Sequence, residues 1–170
     1  MTNYVALLRA VNVGGTGKLP MSDLQKICHD ANFTHVQTYI ASGNVVFQSA
    51  MSSKLVKAEL EARLLTLMGK HVGIVVRTAC EMQDILNGNP FPKAAPNRTV
   101  VIFLDEPPSL DALEFATGIQ NEEMLLRGSE IYIHYGDGMR DSKLKIPAAK
   151  NGTARNLNTV AKLTDMVNNI

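Results

Sequence analysis

The sequence contains no tryptophan, only two cysteines and only 5% aromatic residues. Two cysteines, Cys28 and Cys80, are too few for the disulfide framework of a small secreted domain, so we expect free thiols and a reducing, cytoplasmic location. The four histidines show no pairing at metal-ligand spacing, and neither cysteine joins them. The sequence therefore predicts no metal site and no cofactor.

Long apolar runs and blocks of one charge are also missing. The formal net charge is +1, and the lysines and arginines are spread along the chain. This pattern disfavours a nucleic-acid or membrane surface as the partner. No apolar run approaches the roughly 18 residues that cross a bilayer, and no secretory signal stands at the N-terminus. These absences predict a soluble protein and say nothing of its oligomeric state.

The common nucleotide-binding and hydrolase motifs are absent as well. The spacing of Gly14, Gly15 and Gly17 matches neither the Walker loop nor the dinucleotide-binding GxGxxG pattern. There is no GxSxG nucleophile elbow. Because no residue stands out as a nucleophile or a general base, the sequence leaves open whether the protein is an enzyme.

The pattern of apolar residues in the first half predicts a ferredoxin-like fold. A hydrophobic fraction of 45% with 19% charged residues is typical of a globular domain. Residues 4–11 predict a buried strand, and residues 21–31 a helix with one apolar face. Alternation across 36–47 predicts a β-hairpin, followed by a helix over 53–68 and a strand over 72–77. The resulting order is β-α-β-β-α-β, the split βαβ arrangement.

The second half predicts a smaller α+β subdomain. Its predicted elements are a helix at 79–86, a strand at 99–104, a helix at 107–117, hairpin strands at 123–126 and 130–135, and a closing helix. A proline-rich loop between the first two of these suggests a boundary. The expected fold class is therefore α+β, with a ferredoxin-like subdomain at 1–78 and a second α+β subdomain at 79–170 that closes onto the first.

Basic and polar residues follow the first predicted strand. Arg9 has apolar neighbours on both faces of that strand, and a buried guanidinium needs either an acidic partner or an anionic ligand. Asn12 and Lys18 flank Gly14 and Gly15, whose backbone N–H groups are unobstructed by side chains. An internal salt bridge and an ordinary glycine turn explain the same residues equally well.

A second polar cluster surrounds the start of the closing helix, in the stretch GTARNLNTVAKL. If Asn158 or a preceding threonine caps the helix, Thr159 and Lys162 lie one turn apart on its open side. A helix N-terminus favours anions, and Arg155 and the hydroxyl groups would add to that preference. The alternative is that the asparagines and threonines only cap the helix while the basic side chains are solvated.

Five stretches resemble, in order, the bacterial family catalogued as domain of unknown function 1697. They are YVALLRAVNVGG, KLPMSDL, TYIASGNVVF, SKL and GTARNLNTVAKL, and the resemblance runs from about residue 3 to residue 166. It implies a compact two-part α+β protein with a ferredoxin-like first half, and no established activity. The positions that match the family motifs are Arg9, Asn12, Gly14, Gly15, Lys18, Ser42, Gly43, Asn44, Lys143, Gly152, Thr153, Arg155, Asn156, Asn158, Thr159 and Lys162. The chain has Leu157 where the family motif often has tryptophan, which argues against a stacking role there.

The leading functional hypothesis is binding of a small phosphate- or carboxylate-bearing molecule in a cleft between the two halves. Placed hydrogen-bond donors at the motif positions favour a binding site over a packing role. The predicted ligand-binding residues are Arg9, Asn12, Gly14, Gly15, Lys18, Asn44, Lys143, Arg155, Asn158, Thr159 and Lys162. Two alternatives stay open: an RNA-binding module of ferredoxin-like type and a protein-interaction adaptor. The third strand, NVVFQS, lacks the basic-glycine-aromatic signature of RNA-recognition domains.

Overall fold

The computed structural model describes residues 1–13, 17–137 and 139–170. The chain forms two compact units, one made of Met1–Gln83 with Lys162–Ile170 and the other of Asp84–Ala161. The sequence predicts two subdomains, 1–78 and 79–170, and that boundary stays a prediction.

The first unit contains an antiparallel four-stranded sheet. Its elements are β1 (Thr2–Leu8), α1 (Met21–Asp30), β2 (Thr34–Thr38), β3 (Asn44–Ser49), α2 (Ser53–Met68), β4 (Ile74–Thr78) and α3 (Ala79–Asn87), which continues into the second unit. The strand order is β2-β3-β1-β4, and each neighbouring pair is antiparallel. The predicted β-α-β-β-α-β order is confirmed.

One face of this sheet and both of its long helices share a single hydrophobic core. Alternate residues of β1, such as Tyr4 and Ala6, pack in the same buried cluster as Leu24 of α1 and Leu60 of α2. In the same cluster, the rings of Phe33 and Phe47 stack with their centroids 4.4 Å apart. The two helices therefore lie on one face of the sheet, as the sequence predicts.

The ends of α2 follow ordinary capping chemistry. The Ser52 hydroxyl accepts a hydrogen bond from the Leu55 N–H at its start. Gly69 ends the helix in the left-handed conformation, with a φ of 71° that glycine adopts without a Cβ penalty. This turn directs Lys70 out of the helix and toward the loops that follow β1.

The second unit contains another antiparallel four-stranded sheet. Its elements are β5 (Thr99–Phe103), β6 (Glu123–Arg127), β7 (Glu130–His134), β8 (Thr153–Asn156) and the first part of α4 (Leu157–Asn168). The strand order is β6-β7-β5-β8. Two antiparallel sheets combined with helices confirm the predicted α+β class.

Two predictions for the second unit are wrong. The helix expected over 107–117 is only a short 3-10 turn at Ala112–Phe115. Leu110 is 98% exposed and Phe115 is 60% exposed, and only Ala112, Leu113 and Ala116 pack against the core, which is too short an apolar stripe to stabilise a full helix. The strand β8 was missed because its buried residues are polar: Thr153 and Arg155 face inward while Ala154 is exposed.

None of the helices in the described residues is long and apolar enough to cross a membrane.

The two free cysteines differ in exposure, and this predicts different reactivity. Cys28 is fully buried in α1, and burial raises the pKa of its thiol to about 12, whereas Cys80 is exposed. Because the thiolate is the nucleophile, we expect a disulfide reagent at pH 8 to modify Cys80 quickly and Cys28 only after unfolding. Thiol titration with and without denaturant measures this, and Cys80→Ser removes the fast reaction. Rapid modification of both thiols in the folded protein would contradict the assignment.

Candidate functional site

The strand β1 ends earlier than the sequence predicts, and this changes the interpretation of Arg9. The strand stops at Leu8, and Ala10 has a φ of 53°, a left-handed backbone conformation that cannot continue the ladder. The Arg9 N–H donates to the Gly73 carbonyl at 2.9 Å, and the Arg9 side chain is exposed. The prediction that Arg9 is buried among apolar strand residues is therefore wrong, and the argument that a buried charge at this position needs an anion no longer applies.

The side-chain amide of Asn12 connects the segment after β1 to two other loop segments. Its Nδ2 donates to the Leu19 carbonyl at 2.9 Å and to the Ala41 carbonyl at 2.8 Å. Its Oδ1 accepts from the Leu19 N–H at 2.7 Å. Because both N–H bonds of the amide are used within the protein, Asn12 holds these loops in place and has no donor left for a ligand.

The turn between β2 and β3 is held in a similar way. Asn44 is fully buried, and its Nδ2 donates to the Tyr39 carbonyl at 2.8 Å and to the Ser42 hydroxyl at 3.0 Å. The amide thus fixes the turn from inside. Asn44, like Asn12, has a structural role in the first unit.

Gly43 allows this turn to lie directly against the end of β1. Its φ is 91°, and a Cβ at this position would lie 2.7 Å from Cγ2 of Val11 and 2.8 Å from Cβ of Leu8. The Leu8 N–H donates to the Gly43 carbonyl at 2.8 Å. A side chain at position 43 would push the turn away from the strand.

We call the segments 9–13, 17–20, 39–43 and 69–73 the β1-end loops. In the described residues, five non-glycine residues have a positive φ, and three of them lie here: Ala10, Asn12 and Ile40. Ile40 is β-branched and 49% exposed, so neither its side chain nor its burial favours a φ of 49°. Strained residues of this kind persist only where the surrounding structure holds them, and they concentrate at functional sites.

Three basic residues belong to the β1-end loops. Lys18 follows Gly17, and Lys70 Nζ lies 3.6 Å from the position that a Cβ on Gly17 would occupy. Both lysines are exposed, and neither forms an ion pair within the described part of the chain. Arg9, the first residue of segment 9–13, approaches segment 69–73, since its Cβ and Cδ lie 3.8 Å from the Cβ position of Gly73. Lys70 is not among the residues predicted from the sequence, where its only signal is its place after the helix-ending Gly69.

In the second unit, Arg155 is a buried cation on the edge strand β8. It is 7% exposed, and Nη1 donates to the Thr153 hydroxyl at 2.6 Å and to the Ala154 carbonyl at 2.9 Å. Burial lowers the pKa of its guanidinium to about 10, so it is protonated at neutral pH. Arg155 is therefore a charged group already provided with oxygen acceptors.

The start of α4 is capped, although by a different residue from those expected. Oδ1 of Asn156 accepts a hydrogen bond from the Thr159 N–H at 2.9 Å, which makes Asn156 the N-cap. The predicted cap Asn158 is exposed instead. Thr159 is 7% exposed, while Lys162 lies in the solvent. Capping thus explains one of the asparagines in this stretch.

The predicted site residues are divided between the two units. Arg9, Asn12, Lys18, Asn44 and Lys162 belong to the first, and Lys143, Arg155, Asn158 and Thr159 to the second. Gly14 and Gly15 lie outside the described residues. That all the predicted site residues line a single cleft stays a prediction. Within residues 1–13, 17–137 and 139–170, no group of three His, Cys, Asp or Glu residues could hold a metal ion.

Two open pockets lie away from the predicted residues. One, of about 550 Å³, lies between α1 and α2 of the first unit. The other, of about 420 Å³, lies in the second unit beside Phe91 and His134. The buried Nδ1 of His134 has no hydrogen-bond partner in the described structure. Neither of these two pockets includes a residue of the β1-end loops.

Two antiparallel sheets, with a loop-built basic surface at one end of the first, define an α+β protein of a recognisable family. Residues 1–132 match the model described as protein of unknown function (DUF1697), and the chain belongs to that family. Its fold is similar to that of the conserved bacterial protein SP0830 from Streptococcus pneumoniae, with a TM-score of 0.82 and 22% identity over 99% of both chains. No curated protein matches the chain. The family resemblance seen in the sequence is thus confirmed, with the matched part ending at residue 132. At 22% identity the likeness to the solved structure concerns the fold alone.

The structural role of Asn12 gives a stability prediction. Asn12→Ala removes three hydrogen bonds and places alanine at a φ of 56°, so we expect the free energy of unfolding to fall by about 2–3 kcal/mol. Asn12→Gly removes the same bonds without the conformational penalty and should cost about 1 kcal/mol less. Urea denaturation of both variants measures the difference. Equal losses for the two variants would mean that the backbone at residue 12 is not strained.

Proposed function

We propose that this protein binds a small molecule bearing a phosphate or carboxylate group, and that the β1-end loops hold that group. The observation that carries the proposal is a backbone with left-handed residues at Ala10, Asn12 and Ile40, fixed by buried or half-buried amides, next to solvent-exposed lysines. The proposal concerns binding, and it includes no chemical step.

The rigidity of the loops supports a binding role because a simple connection between strands does not require it. Each left-handed non-glycine residue costs about 1–2 kcal/mol, a cost that hairpin turns avoid with glycine or asparagine at the special positions. At position 40 the chain has isoleucine, the least suitable type for this conformation. A fixed surface lowers the entropic cost of binding a small ligand.

The charges of the loops support an anion as the ligand. Lys70 Nζ lies 3.6 Å from the Cβ position of Gly17, the residue that precedes Lys18, and neither lysine has an ion pair with any described residue. Two like charges at close range repel each other by about 1 kcal/mol even in water. An anion between them removes that repulsion and gains two charge-assisted hydrogen bonds.

The predicted residues of the second unit are retained as further candidate ligand groups. They are Lys143, Arg155, Asn158 and Thr159, together with Lys162 of the first unit. Lys143, Asn158 and Lys162 are exposed, which leaves their polar ends accessible to a solute. Alanine substitution of each in the binding experiment below tests whether it contacts the same ligand.

The RNA-binding alternative receives less support from the first unit. RNA-recognition domains stack bases on aromatic side chains of the first and third strands. Here the aromatic residues of those strands, Tyr4 and Phe47, are 3% and 0% exposed and belong to the core that includes α1 and α2. The adaptor alternative requires an extended apolar docking surface, whereas the β1-end loops combine the exposed apolar residues Val13 and Ile40 with exposed lysines.

We expect inorganic phosphate, pyrophosphate or citrate to raise the melting temperature of the protein along a saturable curve, because a ligand that binds only the folded state stabilises it. Lys18→Ala and Lys70→Ala should each weaken the binding about fivefold or more, since each removes one cation from the proposed contact. Lys54→Ala is the matched control: Lys54 is an exposed lysine near the other end of α2, about 24 Å along the helix from Lys70. Isothermal titration of the four proteins gives the affinities.

Two results would reject the proposal. The first is an unchanged melting temperature with every anion tested at constant ionic strength. The second is equal weakening in all three lysine variants, since that would indicate general screening of a basic protein and not a site at the β1-end loops.

A further inference from the structure

The strand β6 differs from the other edge strands of the two sheets. The edges are β2 and β4 in the first sheet and β6 and β8 in the second. The pairing of β2 is interrupted by a register shift, the first four residues of β4 are buried, and β8 has only four residues. By contrast, β6 pairs with β7 in regular register over all five residues, from Glu123 to Arg127. It has none of the bulges or prolines that usually protect an edge from pairing with another chain.

The outward backbone groups of β6 belong to Met124 and Leu126. A two-residue turn, Gly128-Ser129 with a φ of 56° at the glycine, joins β6 to β7, so its flanking pair Arg127–Glu130 exchanges hydrogen bonds. Because hydrogen-bonded and non-bonded pairs alternate in an antiparallel ladder, the backbone groups of Met124 and Leu126 point away from β7. No hydrogen bond joins these groups to the described part of the chain.

The side chains of β6 select one arrangement for a second copy of the same strand. Antiparallel pairing centred on Leu125 places Glu123 opposite Arg127 of the second copy, once at each end. It also brings the outward groups of Met124 opposite those of Leu126, where they can exchange hydrogen bonds. Parallel pairing in register would instead place like charges side by side. Glu123 and Arg127 are both exposed, and neither forms an ion pair within the described residues.

We propose that β6 is the docking surface for a second copy of this chain. The two copies pair through their β6 strands about a two-fold axis at Leu125, which joins two four-stranded sheets into one sheet of eight strands. This contact is self-complementary, as closed two-fold symmetry requires. It is independent of the proposed anion site, because no residue of the β1-end loops takes part.

Sedimentation of the full chain over a range of concentrations tests the contact. We expect a monomer–dimer equilibrium for the wild type. Glu123→Arg and Arg127→Glu each convert two attractive pairs into two repulsive pairs, so each should raise the dimer dissociation constant about tenfold or more. An equimolar mixture of the two variants restores both attractive pairs and should associate as well as the wild type. Glu106→Arg, a charge reversal at an exposed residue outside β6, is the matched control and should not change association.

Amide hydrogen exchange gives a second readout that does not depend on the variants. The Met124 and Leu126 amides should exchange more slowly as the protein concentration rises, whereas the Leu125 amide, bonded to β7, should be protected throughout. The proposal is overturned if the wild type is a monomer at every concentration. It is also overturned if the mixture associates no better than either single variant, or if exchange at Met124 and Leu126 does not depend on concentration.

Discussion

The side-chain amide of Asn12 is the contact on which the β1-end loops depend. Loop backbone groups lack the partners that helices and strands provide, and they must find them elsewhere or remain solvated. The amide supplies three such partners, to both polar groups of Leu19 and to the carbonyl of Ala41. Lys18 precedes the first of these residues and Ile40 precedes the second. The position of a proposed anion-binding lysine and the strain of the neighbouring turn therefore both rest on one asparagine.

The buried turn at Asn44 completes this arrangement from the other side. Its amide is satisfied inside the protein, while Gly43 brings the turn within contact of Leu8 and Val11. Core packing at the end of β1 and hydrogen bonding in the loops thus stabilise each other. This explains how an exposed isoleucine can keep a left-handed backbone, because both neighbouring segments are fixed independently of it.

The fold was predictable where apolar residues follow the period of a strand or a helix. That condition holds for α1, whose buried residues Leu24, Ile27 and Cys28 lie on one face. In α2 the exposed Leu55, Leu65 and Leu67 blur the period, and the helix was predictable from its length and its capping serine. The condition fails at 107–117, where Leu110 and Phe115 are exposed, and at β8, where the inward side chains are a threonine and an arginine. The pattern of apolar residues predicts secondary structure because apolar residues are usually the buried ones. Where buried residues are polar, or apolar residues are exposed, the pattern alone does not predict the helix or strand.

The candidate site was predictable only in part, and the reason lies in what each polar residue does. The sequence pattern groups the asparagines with the basic residues as ligand donors. In the first unit, Asn12 and Asn44 use their side-chain donors within the protein, whereas Lys18 carries its charge into the solvent. Sequence does not distinguish these roles, because an amide that binds a ligand and an amide that holds a loop are the same residue type.

Lys70 illustrates the opposite case. Its neighbour in space, Gly17, is distant in sequence, and the approach of the two depends on the direction in which Gly69 ends α2. The asparagines and glycines at the motif positions therefore hold the β1-end loops in place. The basic side chains that these loops position can come from outside the motifs. By the same argument, a search for the proposed anion-binding groups of this protein should begin from lysines and arginines near the fixed loops, whatever their place in the sequence.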